Sequence, residues 1–176
     1  MSIKNIVKGA LFIVLGVLIP QIFHSIGAGP MFLPMHIPVL LAGFLLGPIT
    51  GLYVGILSPI LSNLFTGMPP AMPMLPIMIF ELATYGLIAG ILYNKLGINL
   101  FVSLIGTMLA GRIVYGVVVY CLIVFFDIKM QRPMIAVVAA VKTGMIGIVI
   151  QIIIIPMVVR LLKGGPINVR SNISSK

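Results

Sequence analysis

Three ionisable side chains stand inside apolar runs of this sequence. Glu81 lies in PIMIFELATYGLIAGILYNK (76–95), Arg112 in the run 99–126 and Lys142 in the run 134–163. A charge at such depth costs about 2.5 to 3.5 kcal/mol on insertion scales, and residues of this kind ordinarily pair with one another or mark a pathway. At the helical rise, Glu81 is about 8 Å, Lys142 about 12 Å and Arg112 about 20 Å below the outer ends of their segments. Lysine and arginine stems extend several ångströms further, so the three heads are expected to meet in one chamber in the outer half of a bundle. One carboxylate against two cations leaves a positive charge uncompensated, which suits an anionic solute.

Neutral groups surround this constellation. Tyr85 follows Glu81 by one turn and Tyr115 follows Arg112 by nearly one, so helical spacing puts each phenol on its neighbour's face. Asn63, near the outer end of its segment, adds an amide, and His36 adds a ring nitrogen at the rim. A small polar molecule with a carboxylate fits: the cations take the negative group, and the amide and phenols take hydroxyls. Other readings stay open. Glu81 and Arg112 could be an internal ion pair joining helices, Lys142 could reach the outer surface, the tyrosines could be packing residues and Asn63 a helix-end cap.

Other chemistry is poorly supplied. Only two histidines, His24 and His36, and one cysteine, Cys121, are present, so no metal site, metal cluster or internal disulfide is expected. No carboxylate pair, nucleophile with a positioned base, or phosphate loop can be assembled, and GAGP (27–30) lacks the strand and helix of a dinucleotide fingerprint. Neither catalytic residues nor a cofactor is expected.

The elements that position these residues are membrane spans. Of 176 residues 61% are hydrophobic and 7% charged, and the mean hydropathy is +1.29, whereas a soluble domain carries about a quarter charged residues. An all-α integral membrane fold is predicted, with six helices at 6–26, 31–47, 48–66, 76–95, 99–126 and 134–163. The run 31–47 is short and holds Pro34 and Pro38, so it could instead form a re-entrant hairpin with its successor. Lys4 and Lys8 precede a first span that is expected to be retained. With the N-terminus inside, Lys4, Lys8, Lys95, Arg160, Lys163, Arg170 and Lys176 are cytoplasmic against Lys129 and Arg132 outside, so both termini are expected in the cytoplasm. Residues 1–163 read as one domain and 164–176 as a disordered tail. The net charge of +9 lies mainly at loop and span ends, without the basic stripe and interleaved aromatics of a nucleic-acid binder.

Small residues mark packing faces. Gly43, Gly47, Gly51 and Gly55 recur every four positions, a spacing that lets helix backbones approach closely. Gly9, Ala10 and Gly16 give the first helix a patch suited to an internal neighbour or to a partner protein. The connection TGMPPAMPMLP (66–76) is either a stiff connector or a lid over an outward-facing pocket.

The segments FLPMHIPVLLAGFLLGPITGLYVGILSPILSNLFTGMPP and FELATYGLIAGILY resemble the substrate-binding S component of energy-coupling factor transporters, a likeness that covers residues 8 to 162. The resemblance implies a six-helix protein of the prokaryotic plasma membrane that is not an enzyme. It would bind a vitamin or related micronutrient from outside and join a membrane T subunit and two cytoplasmic ATPases. It also implies a site in the outer half, where depth alone places Glu81, Arg112 and Lys142. The family's first helix docks through two alanines four apart; here Ala10 is followed at that spacing by Val14, with Gly9 and Gly16 nearby. The stretch from MHIPVLLAGF to FELATYG looks most like pantothenate-type S components, with riboflavin, other vitamins or a precursor such as α-ribazole as alternatives. Rivals from other classes are a small intramembrane enzyme using Glu81 or a histidine, and an oligomeric pore.

Overall fold

The computed structural model describes residues 3–25, 27 and 29–163, without the side chains at positions 24, 25, 29 and 30. The expected tail, residues 164–176, and the His24 side chain therefore lie outside the described residues. Among the described residues the fold is helical throughout, with no strand. The helices are α1 (Ile3–Ser25), α2 (Gly29–Phe32), α3 (His36–Leu46), α4 (Pro48–Thr66), α5 (Met74–Gly90, closed by a π turn Ile91–Lys95), α6 (Leu100–Phe126), α7 (Pro133–Thr143) and α8 (Met145–Lys163). Five stretches are long and apolar enough to cross a bilayer: Ile3–Phe23, Pro48–Thr66, Met74–Lys95, Leu100–Phe126 and Met145–Lys163. The chain is a multi-pass membrane protein.

Two expected spans take other forms. The run 31–47 yields only the turn α2 and the 11-residue α3, about 16 Å long and too short for a roughly 30 Å hydrocarbon layer. α3 is instead the centre of the bundle, buried from Pro38 to Phe44 and packed on α1, α4, α5 and α8. It ends at Gly47, whose φ of 95° favours glycine, and Pro48 opens α4 where its missing N–H costs nothing. The run 134–163 is interrupted at Gly144, with Gly144 N donating to Ala140 O and Ile148 N to Gly144 O across the break. The α2–α3 corner packs closely here: a Cβ at Gly144 would meet the Leu33 side chain and one at Gly147 the Phe32 carbonyl.

Of the four regularly spaced glycines, Gly51 and Gly55 form a seam between α4 and α5, Gly43 of α3 meets the Gly86 carbonyl of α5, and Gly47 makes the turn between α3 and α4. A Cβ at Gly51 would strike Gly86 O, one at Gly86 would strike Gly51 O, and one at Gly55 would strike Leu82 O. Backbone lies directly on backbone, which sets the height and rotation of α5. Against this seam pack Val39, Leu40, Phe44, Val54, Leu82, Leu104 and Ile155, all fully buried or within 1% of it. Gly9 and Gly16 serve an internal neighbour: they are buried on α4, facing Thr50 and Ser58. Ala10, between them in sequence, is exposed.

Candidate functional site

A cavity of about 600 Å³ opens at the end of the bundle where α2 meets α3, α4 meets α5 and α6 meets α7. Glu81 and Arg112 form its charged end. The seam fixes the first of these, since Glu81 adjoins Leu82, whose carbonyl sits on Gly55. Arg112 Nη1 lies 2.8 Å from Glu81 Oε1, with the side chains 12% and 3% exposed. Tyr85 Oη donates to the same carboxylate oxygen at 3.2 Å. Its ring fits only because residue 111 is glycine: a Cβ there would overlap the phenol. Tyr85 thus stands behind the wall and holds Glu81, while Tyr115 lies in the wall with its ring centre 5.9 Å from the Arg112 guanidinium carbon.

His36 opens α3 at the opposite side of the carboxylate. Its ring tilts against Tyr85 at 5.2 Å, and Nε2 lies 3.9 Å from Glu81 Oε2, beyond hydrogen-bond reach. Neither ring nitrogen has a hydrogen-bond partner, although His36 is 4% exposed. The two oxygens of Glu81 are therefore unequal: Oε1 serves Arg112 and Tyr85, and Oε2 faces His36.

The rest of the wall is apolar. Met35, Met68, Met74, Met78 and Met130 supply flexible, polarizable thioethers, and Pro69 and Pro70 bring the α4–α5 connection over the space. Asn63 does not reach the cavity; its Nδ2 donates to Pro69 O at 2.7 Å and so fastens that connection. α7 adds Ala136, Ala139, Ala140 and Thr143, the small residues of one helical face. That i, i+3, i+4, i+7 spacing was a legible sign of a wall that sequence reasoning passed over.

Lys142 departs from its expected place. It is exposed on α7 and is not part of the cavity wall, because the face that turns inward carries Ala136, Ala139, Ala140 and Thr143 instead. The expected chamber of one anion and two cations is thus a chamber with one of each. Among the described residues no group of three or more His, Cys, Asp or Glu could hold a metal.

A polytopic helical membrane protein with an end-on, largely apolar cavity and one buried ion pair is the class defined so far. The sequence matches the family described as ECF transporter, substrate-specific component, over residues 4–159, and the chain belongs to that family. This is a transport family rather than an enzymatic one. Comparison with curated proteins and with solved structures gave no match.

Proposed function

We propose that this chain captures a small micronutrient in the cavity closed by Glu81, Arg112, His36 and Tyr115, for import driven by partner subunits. The observation that carries this reading is a cavity of about 600 Å³ whose apolar wall ends in a single buried ion pair. Such a space takes a vitamin-sized body and orients it by one polar end. Arg112 pairs with Glu81 and also lines the cavity, so its guanidinium can meet a carboxylate there. Pantothenate is accordingly the first ligand of choice, ahead of riboflavin or a precursor such as α-ribazole.

In this reading α2 and α3 together complete a second crossing and α7 and α8 form the sixth. Both termini are cytoplasmic and the cavity opens outward from a prokaryotic plasma membrane. The partners are a membrane T subunit and two ATPases. With Gly9 and Gly16 covered by α4, the face of α1 offered to a partner is the exposed row containing Val7, Ala10, Leu11, Val14 and Leu18.

Titration of the purified chain with a vitamin panel, without ATP, tests the proposal. Tight one-to-one binding of one compound is the expected result. Chemical turnover by the chain alone, or ion conductance in liposomes that contain nothing else, contradicts it.

A further inference from the structure

We infer that His36 is the second cation of the cavity, and that an anionic ligand binds together with one proton taken up by His36 from water. The inference rests on the solute-capture reading above and adds the linkage of anion binding to pH. It begins from a charge count. The charges of Glu81 and Arg112 cancel, and Lys142 is not in the cavity wall to tip the balance. A carboxylate seated on Arg112 would leave the enclosed site with one negative charge in excess, an arrangement that buried sites avoid by pairing or by protonation.

His36 stands where that proton is needed. Both of its nitrogens are buried without partners, a state that calls for a functional account. Its Nε2 faces Oε2, the carboxylate oxygen turned away from the Tyr85 hydroxyl, at 3.9 Å. A movement of about 1 Å by either side chain brings an imidazolium N–H into bonding range. The step is simple: a hydronium ion gives its proton to an imidazole nitrogen, and no bond of the ligand changes. Neutrality is restored with Arg112 on the ligand and His36 on Glu81.

The charged and titratable neighbours of His36 are few. α5 presents Glu81 and Tyr85, and α6 presents Arg112 and Tyr115. Among the described residues α1, α4 and α8 place no titratable side chain in the cavity wall; Tyr53 of α4 is exposed, and so is Lys142 of α7. Glu81 is thus the one negative charge that a protonated His36 would meet. Because the ligand favours the protonated ring, binding is strongest at low pH and weakens as the imidazole loses its charge, by up to about tenfold per pH unit.

The test is calorimetry on the full chain in lipid nanodiscs. The anions pantothenate, biotin and nicotinate are titrated beside the neutral compounds panthenol, riboflavin and nicotinamide, in two buffers of different ionisation heat. The expected result is an anionic binder that takes up close to one proton near neutral pH and whose Kd rises with pH. His36→Gln should abolish the uptake and weaken binding at pH 6 by about tenfold. An anion that binds with no buffer-dependent heat and a flat pH profile overturns the inference, and this holds whether or not the variant folds. A panel in which only neutral compounds bind also overturns it and leaves solute capture intact. If no compound binds, the capture reading fails and the inference falls with it.

Discussion

The α4–α5 seam and the cavity beside it draw on the same helix by opposite means. In the seam, Gly51 and Gly86 bring two backbones together with no side chain between them, and nothing there can yield. In the cavity, five methionines and a proline-rich connection surround about 600 Å³ of space. The rigid region sets the position of Glu81, and the adaptable region can follow the shape of a guest. Rigidity is placed where a charge must be held to a fraction of an ångström, and softness where only apolar contact is required.

Breaking the seam should have the largest effect. Gly86→Val forces side-chain atoms into Gly51 backbone, so loss of folded protein is expected, read as aggregation on size exclusion after extraction. Next is the ion pair. Arg112→Ala leaves Glu81 buried and unpaired, a loss of about 3 to 5 kcal/mol, measured as a lowered Tm. The double variant Glu81→Gln with Arg112→Gln should recover most of that stability and still fail to bind an anionic ligand. Equal recovery of both properties would make the pair a helix fastener only.

The connection over the cavity gives a smaller effect. Asn63→Ala removes the bond to Pro69 O and should raise the ligand off-rate several-fold with a stability change of about 1 kcal/mol. Lys142→Gln should change neither affinity nor stability measurably, because the side chain is exposed and outside the cavity wall. A clear loss of affinity there would return Lys142 to the site and weaken the case for His36.

These residues also show how far the sequence could be read. Depth is legible in part: rise per residue put Glu81 and Arg112 in the same half of the bundle, the long arginine stem was needed to bridge the rest, and they meet at 2.8 Å. Rotation about the helix axis is not. α7 is almost wholly apolar or small apart from Lys142, so no polar face marks which side turns inward, and the small face won the cavity. The glycine spacing announced a close approach of helices, but its partner, Gly86, could be found only from the fold. The close contacts of Gly144 and Gly147 were hidden for the same reason, since their partners, Leu33 and Phe32, lie on the distant α2–α3 corner.

The central claim is that the cavity between Glu81, Arg112, His36 and Tyr115 is where the solute sits. The chain contains no tryptophan, so Tyr115→Trp would report on the cavity wall alone, with Tyr53→Trp on the exposed surface of α4 as its control. The account predicts a saturable change in emission at position 115 that matches the calorimetric binding curve, and none at position 53. Saturable binding that leaves position 115 silent, in a variant that still binds with normal affinity, would contradict it.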